Sequence, residues 1–318
     1  ISDWTPPSEA GPFEWLDEEA LVATEPALRG GSAVGGWWYP LDKSVDPVTT
    51  HAALLRTCQA EGVSVRFDVD VVGVDLDSSQ CRSVKLSTGE TVRAREYCLA
   101  NGAWLRALLP IPVKPQKGQM LRLSGSFGER PERVIYGSEC YLIPRGDSLV
   151  VGATVEDSYA SSHSADVRGV LKLLSAATAL CPGLRDWTLE ESWAGLRPAT
   201  LDGLPVLGAT RWRNLWVAGG YWRNGILLAP RAAKLVADAL DGTLSSADHA
   251  YLSHFRWDRF FKGSSAPTKT TTGTHKKGAS SPPPPAASSE VTKTAAAKTT
   301  PEQEKTTPEQ EKTTPEQE

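Results

Sequence analysis

A chain of 318 residues, of which 40 % are hydrophobic, is long enough to bury a sizeable core. The net charge of −4 and the isoelectric point near 5.8 give no sign of nucleic acid as a partner. No apolar run approaches the roughly 18 residues of a membrane-spanning helix, so we do not expect a membrane span.

The chain opens with ISDWTPPSEAGPFEWL, which has neither the basic nor the apolar region of a targeting peptide. Because the first residue is Ile1 and not methionine, we expect this start to be a cut in a longer chain. Such a cut would remove any N-terminal address signal along with the segment that carried it.

The cysteines are typical of a protein in a reducing compartment. They are scattered singly, without a C-x-x-C pair and without a histidine at metal-ligand spacing. An odd, unpatterned set predicts core or surface thiols, with no zinc site and no disulfide framework. The five positions are Cys58, Cys81, Cys98, Cys140 and Cys181.

Helix and strand patterns alternate through the first half of the chain. Residues 46–62 begin with Asp-Pro, end at a glycine and space small apolar residues on one side, as an amphipathic helix does. Four segments rich in β-branched residues follow, and we predict that they are successive strands: 63–67, 70–77, 81–86 and 90–100.

The second half adds a hairpin and two long helices. Residues 141–145 and 148–155 pair plausibly across a Gly-Asp turn, and 165–183 read as an amphipathic helix with a Pro-Gly stop. A short buried strand at 214–220 runs into a final helix at 225–242. The fold class is therefore α/β plus α+β, with two intertwined domains.

Composition changes abruptly at residue 264. Residues 264–318 consist mostly of Thr, Ser, Pro, Ala, Lys and Glu, and KTTPEQE recurs at 298, 305 and 312. Such a segment cannot form a core, so we predict a disordered low-complexity tail. It is either a solvated tail or a tether and phosphorylation array at its Thr-Pro sites.

The stretch that joins the last strand to the last helix predicts a polar or anionic ligand. A strand that runs into Gly219-Gly220 and then into a helix near Gly225 leaves the first helical N–H groups pointing outward. The G-x-G-x-x-G spacing of a pyrophosphate site is absent, and two glycines can serve a turn for steric reasons alone. Arg223 and Asn224 favour the ligand, because chain reversal does not need them.

A second arginine lies in an apolar, glycine-rich segment. Arg197 there needs a partner, which is either a ligand carboxylate or, as the structural alternative, Asp202 or a backbone carbonyl. Tyr141 opens a strand and is either a ligand contact or a half-buried packing residue. No histidine has an obvious Ser or Asp partner, so this set predicts chemistry done by a cofactor, with no catalytic acid or base.

Six segments follow one another as they do in a known family: DKSVDP, CLANGAW, VKPQKGQMLRL, CYLIPRGDSLVVGATVED, SWAGLRPATLDGLPVLG and NLWVAGGYWRNGILLAP. From about Phe13 to Leu240 the chain resembles the glycine oxidases, which are flavin-dependent amine oxidases of the D-amino-acid oxidase family. The last two segments together are highly specific.

The resemblance implies a Rossmann-like flavin domain interleaved with an antiparallel-sheet substrate domain, and noncovalently bound FAD. Residues 1–263 would be the oxidoreductase region, with the substrate domain at roughly 40–200 and the return of the chain to the flavin domain at 201–242. The family's N-terminal strand and G-x-G-x-x-G are not found, so we expect the region to be N-terminally truncated and its flavin domain incomplete. The cysteine that some relatives use for covalent flavin attachment is also missing near the GLRP segment.

The resemblance also assigns roles to residues. Arg197 would bind the substrate carboxylate, Tyr141 would be its hydroxyl partner, and Arg223 would add a polar contact beside flavin and substrate. Some relatives have a histidine where this chain has Glu139, so a helper role there is not carried over. The residues expected to line the flavin are Val71, Gly102, Gly219, Gly220, Arg223, Asn224, Gly225, Ile226 and Leu227.

The implied reaction is oxidation of glycine or another small amino acid by hydride transfer to FAD, with O2 as the acceptor and H2O2 as a product. Thiamine (thiazole) biosynthesis is the implied pathway, homo-oligomers are usual in the family, and the compartment would be the cytoplasm or the plastid. The alternatives are an oxidase or dehydrogenase for sarcosine or D-amino acids, and a non-catalytic flavoprotein remnant.

Overall fold

This computed structural model describes residues 11–125, 129–157 and 164–261. Residues Ile1–Pro267 belong to one compact unit. A second unit, Thr268–Glu318, contains the predicted repeats, and the whole predicted tail, residues 264–318, lies outside the described residues.

The strands of the described residues, in chain order, are β1 (Glu14–Asp17), β2 (Gly35–Trp38), β3 (Val71–Leu76), β4 (Cys81–Leu86), β5 (Thr91–Val92), β6 (Tyr97–Leu99), β7 (Val113–Ser124), β8 (Ile135–Tyr136), β9 (Tyr141–Arg145), β10 (Ser148–Gly152), β11 (Glu156–Asp157), β12 (Thr188–Thr200), β13 (Val206–Ala209) and β14 (Leu215–Gly219).

The α-helices of the same residues are α1 (Glu18–Thr24), α2 (Pro47–Ala60), α3 (Leu105–Leu108), α4 (Val167–Leu180), α5 (Gly225–Leu240) and α6 (Ser246–Leu252). Each of them is too short or too polar to pass through a lipid bilayer.

The largest sheet is antiparallel and is built on β7. One edge of β7 pairs with β10 and β11, the other edge pairs with β12, and β9 and β8 extend the sheet beyond β10. Leu121 and Leu123 of β7 are fully buried and pack with Leu173 and Ala177 of α4. This apolar layer fixes the register, in which Arg197 of β12 lies opposite Gln116 of β7.

A smaller sheet joins the two distant ends of the chain. β14 runs parallel to β6 and antiparallel to β13, and α5 packs beside β13 and β14. Val217 of β14 and Val206 of β13 are fully buried. A separate antiparallel meander, β3-β4-β5, carries side chains such as Val74 and Val84 to the same core.

Most predicted elements are confirmed. The helix predicted at 46–62 is α2, capped by Asp46, and the hairpin is β9-β10. The strand predicted at 63–67 is wrong, because this stretch forms no ladder with any described strand. The apolar side of α2 is also not buried: Leu54 is 61 % exposed, since no described element covers it.

Candidate functional site

Arg197 lies near the end of β12, which pairs only with β7 among the described strands, and its guanidinium lies across Gly118 of β7. Nη1 donates to the carbonyl of Thr154 at 3.0 Å and to that of Lys117 at 3.5 Å. A Cβ on Gly118 would overlap the guanidinium, so only a glycine leaves room for this arrangement. The side chain is therefore anchored at Nη1, and Nη2 is left without a partner among the described residues.

No described carboxylate neutralises Arg197. Asp202, its acidic neighbour in sequence, forms a two-point ion pair with Arg259, with distances of 2.7 and 3.0 Å. The predicted alternative of an Arg197–Asp202 bridge is therefore wrong, whereas the backbone bridge is present at Thr154. Partial burial lowers the pKa of Arg197, but a guanidinium keeps its proton at any ordinary pH.

Tyr141 begins β9 with a half-buried ring packed over Gly152, where a Cβ would overlap the phenol. Its hydroxyl donates weakly to Met120 Sδ at 3.9 Å. Burial raises the pKa of the phenol, and the nearby charges of Arg197 and Arg223 lower it by less. Tyr141 consequently remains protonated and can donate a hydrogen bond to an anion.

Tyr136, which the sequence patterns did not single out, connects Arg223 to Tyr141. Its ring stacks on that of Tyr141 with centroids 5.5 Å apart, and its hydroxyl accepts from Arg223 Nη2 at 3.3 Å. The charge of Arg223 helps to lower the pKa of Arg197, and the charges of both arginines act on the pKa of Tyr141. The structure thus brings together the three predicted substrate-binding side chains.

Glu139 stands apart from this cluster. It is exposed and forms an ion pair with Lys172 of α4 at 3.0 Å. The position that is histidine in some relatives therefore contributes a surface ion pair here.

The glycine turn after β14 carries Arg223. Gly220 has φ +72°, and its missing Cβ would lie 2.6 Å from Thr200 Cγ2, so the turn needs glycine for both conformation and space. α5 begins at Gly225, and the side chain of Asn224 makes no cap hydrogen bond to the helix. The N–H groups of the first turn thus lack a side-chain cap from Asn224.

A second turn borders the same small sheet. Gly102 follows β6 with φ +56°, and the Oδ1 atom of Asn101 before it is buried without a partner in the described part of the chain. β3, which starts at Val71, packs against α3 just after this turn. A buried amide oxygen without a donor is rare and indicates that a further group belongs there.

Three apolar residues near these segments are unusually exposed. Val71 is 40 %, Ile226 55 % and Leu227 79 % exposed, although all three are large hydrophobic residues. Single exposed hydrophobic residues are common, but Ile226 and Leu227 lie in the first turn of α5, and Val71 begins the strand that packs against α3.

Hydrolytic and metal chemistry find no support in the described residues. His51, His249 and His254 are exposed on the surface, while His163 and His275 lie outside the described residues. The same part of the chain holds no cluster of three or more His, Cys, Asp or Glu residues that could bind a metal ion. All five cysteines are free thiols in the structure.

A family profile described as "DAO: FAD dependent oxidoreductase" matches residues 5–239, well over half of the chain. The chain belongs to this family of FAD-dependent oxidoreductases. The predicted fold class is confirmed, with a flavin-binding part and an antiparallel-sheet substrate part.

Three relatives illustrate the range of the family. A bifunctional ThiO/ThiG protein of Nostoc sp. (strain PCC 7120) is 41 % identical over 258 residues, which cover 80 % of this chain and 39 % of that protein. A D-amino acid dehydrogenase of Methylobacterium sp. (strain 4-46) is 32 % identical over a match that covers 78 % of this chain and 61 % of the dehydrogenase. The crystal structure of a glycine oxidase from Geobacillus kaustophilus matches with a TM-score of 0.71 at 30 % identity, over 78 % of this chain and 67 % of the oxidase chain.

The chain therefore spans about two fifths of the length of the bifunctional relative and about two thirds of that of the glycine oxidase. Membership of the family implies a flavin cofactor, and the residues present fit one. A flavin is an apolar ring system with a polar edge, and the site offers exposed aliphatic side chains beside uncapped helical N–H groups and the orphaned amide of Asn101.

Sequence reasoning missed part of the site. Tyr136 stacks on Tyr141 and Gln116 accepts a hydrogen bond from Trp222, yet neither Tyr136 nor Gln116 was singled out. Tyr136 and Gln116 could have been found only from the strand register, because each lies opposite a predicted residue: Tyr136 opposite Tyr141, and Gln116 opposite Arg197.

Proposed function

We propose that the protein oxidises glycine or another small amino acid, with noncovalently bound FAD as the electron acceptor and O2 as the final oxidant. One observation supports this above all. Arg197 and Arg223 lie beside a protonated Tyr141, and neither arginine is paired with a described carboxylate. Such a group of donors is complementary to a carboxylate.

Each of the three side chains would contribute differently to binding the substrate carboxylate. Arg197 holds itself in place through Nη1 and presents Nη2 to one carboxylate oxygen, while the hydroxyl of Tyr141 turns from Met120 to donate to the same group. Arg223, carried by the glycine turn, adds positive charge from the side of α5. Clamping the carboxylate at these points fixes the orientation of the α-carbon, which is the main requirement of a reaction without a protein acid or base.

Several residues of the chain would hold the cofactor. The N-terminal turn of α5 at Asn224 and Gly225 would face the polar edge of the ring, and Ile226, Leu227 and Val71 would cover its apolar parts. When bound, the flavin would supply the redox chemistry, in which a hydride leaves the substrate and two electrons reach O2 to give H2O2. The imine left behind hydrolyses to glyoxylate and ammonia when the substrate is glycine.

A second candidate is the oxidation of D-amino acids or sarcosine with an acceptor other than O2. The 32 % identity to a D-amino acid dehydrogenase favours it, because it is close to the 30 % identity with the glycine oxidase. Both activities need the same carboxylate clamp, so the substrate and acceptor must be distinguished by assay.

The experiment is a substrate panel on the flavin-loaded protein. Glycine, sarcosine and D-alanine are supplied with O2 and, in parallel, with an artificial quinone acceptor, and H2O2 and the keto acid are measured. The proposal expects glycine to give the highest kcat/KM and equal amounts of H2O2 and glyoxylate. Turnover of D-alanine with the quinone alone would favour the second candidate, and a protein that binds flavin but turns over nothing would be the non-catalytic remnant.

The wider setting is also part of the proposal. The likeness to a ThiO/ThiG protein supports a role in thiamine biosynthesis, and five free cysteines suit a reducing compartment such as the cytoplasm or the plastid. Residues 40–200 would form the substrate domain and 201–242 the return to the flavin domain, and the working protein would be a homo-oligomer.

A further inference from the structure

Trp222 is held in a conformation that tryptophan rarely adopts. Its φ is +49°, and among the described residues that are not glycine only Asp68 shares a positive φ. A left-handed backbone is strained at a bulky residue and persists only where the surroundings fix it. The contacts of Trp222 therefore identify the interactions that stabilise this conformation.

Two hydrogen bonds tie Trp222 to the sheet at the level of Arg197. Its backbone N–H donates to the carbonyl of Pro198, the residue after Arg197, at 2.9 Å. Its indole Nε1 donates to the side-chain oxygen of Gln116, which lies opposite Arg197 in the register of β7 and β12. The turn after β14 is thus fastened to both strands beside this arginine.

Trp222 also supports the other arginine. The guanidinium carbon of Arg223 lies 5.5 Å from the centre of the indole ring, within reach of a cation–π contact. Gln116 is in turn oriented by Asp157, to which its Nε2 atom donates at 3.3 Å. The amide oxygen of Gln116 is therefore the atom turned to Trp222, and both hydrogen bonds agree on its orientation.

From this geometry we infer that Trp222 and Gln116 form a latch that sets the position of Arg223 relative to Arg197. They are positioning residues, since the described contacts connect them to the arginines and to the backbone of the sheet. The inference rests on the proposed carboxylate site and deepens it: carboxylate affinity depends on a hydrogen bond between two residues that do not themselves bind the substrate.

The test measures the binding of glycolate, the hydroxyl analogue of glycine, to the flavin-loaded protein by calorimetry. Trp222→Phe keeps a ring under Arg223 and removes the indole N–H, and Gln116→Leu removes its acceptor. The loss of this one hydrogen bond is expected to raise the Kd of glycolate about tenfold in each variant, and the double variant is expected to bind no more weakly than either single one. Trp216→Phe is the matched control, because its indole donates at 2.9 Å to Glu96, outside the site.

A role in folding alone predicts a different pattern. It would lower the melting temperature and weaken binding additively in the double variant. A Trp222→Phe change that weakens glycolate in an Arg223→Ala background as much as in the wild type would also overturn the latch, because its effect would not pass through Arg223. If Trp222→Phe does not fold, Gln116→Leu carries the same comparison.

Different binding results would refute the carboxylate site and the latch. Wild-type protein that binds flavin but not glycolate would refute the carboxylate site and the latch with it. Wild-type protein that binds glycolate, with Gln116→Leu and Trp222→Phe binding equally well, would refute the latch and leave the proposed function intact.

Discussion

At the scale of single residues, the position of Arg197 depends on a glycine in the neighbouring strand. Its guanidinium occupies the space in which a Cβ of Gly118 would lie, and Nη1 reaches the carbonyl of Thr154. The atoms in question are at the far end of a flexible side chain. A larger residue at 118 should therefore displace the guanidinium and leave the fold intact.

Gly118→Ala tests this directly. We expect glycolate affinity and kcat/KM for glycine to fall by roughly tenfold or more, because a displacement of about 1 Å at a binding group costs that much, while the melting temperature changes little. The matched control is Gly195→Ala on the paired position of β12, where a Cβ would meet nothing within 4 Å. Equal behaviour of the two variants would contradict the account.

The sequence indicated the residues of this site better than their partners. Arg197 stood out as a charge in an apolar segment, and in the structure it lies close enough to Tyr141 for the two groups to act on each other's pKa. A backbone carbonyl was one of the predicted partners, but the residues that supply it, Thr154 and Lys117, could not be foreseen, because a backbone carbonyl carries no signal of side-chain type. The Asp202 alternative was wrong because the partner that Asp202 does have, Arg259, lies 57 residues away from it in sequence.

At the scale of elements, the turn between β14 and α5 is the most constrained segment. Gly220 has a left-handed backbone, and a Cβ there would press on Thr200 and on the backbone of Val206. The turn is therefore fixed by the end of β12 beneath it as well as by its own sequence.

Gly220→Ala should destabilise the protein by about 1–3 kcal/mol, because strain in the backbone and overpacking against Thr200 act together. Gly242→Ala separates the two effects: it has nearly the same φ, +71°, but nothing lies within 4 Å of its Cβ. Chemical denaturation should give a clearly smaller loss for the Gly242 variant. Similar losses would show that packing against Thr200 contributes nothing.

Elements that form mainly through contacts with neighbouring sequence were predicted correctly. The β9-β10 hairpin and α5 with its closing Gly242 need only neighbouring sequence and one apolar face. The segment 63–67 and the apolar side of α2 failed for a common reason: a strand needs a ladder partner and an apolar face needs a cover, and no described element provides either. Pattern alone cannot show whether such a partner is present.

At the scale of the whole molecule, the described chain continues past the family match at residue 239 and packs back on the small sheet. Trp257 is buried against Trp212, with ring centres 5.7 Å apart, and Arg259 holds the turn at Asp202 that joins β12 to β13. The strand that carries Arg197 and the strands that lead to Arg223 are thus secured by a segment beyond the family match.

A buried carboxylate gives the molecule a pH-dependent stability. Glu25 is 3 % exposed, and Oε2 accepts from the backbone N–H groups of Glu132 and Arg133 at 3.1 and 2.9 Å, while Oε1 has no partner in the described part. Burial raises its pKa above the ordinary 4.5, outweighing these hydrogen bonds and the charge of Arg133. Cys181 nearby has a pKa raised to about 12, so it stays neutral in this range.

The sign of the effect follows from proton binding. Between pH 4.5 and the higher folded pKa, the folded state holds a proton that the unfolded state has released, so this group's contribution to stability falls as the pH rises through that window. Glu25→Gln should flatten the decline of the unfolding free energy across the window. Glu14→Gln, at an exposed position, should leave it unchanged, and a Glu25 variant with the wild-type pH profile would contradict the account.

The most direct test of the central claim is the kcat/KM for glycine of Arg197→Ala against wild type, both loaded with flavin and followed by H2O2 release. Losing the carboxylate clamp removes about 2–5 kcal/mol of binding, so a fall of between roughly tens and thousands of fold is predicted. Arg168→Ala on the exposed face of α4 is the control and should match wild type. An Arg197→Ala protein that oxidises glycine as well as wild type would contradict the assignment of this cluster as the substrate site.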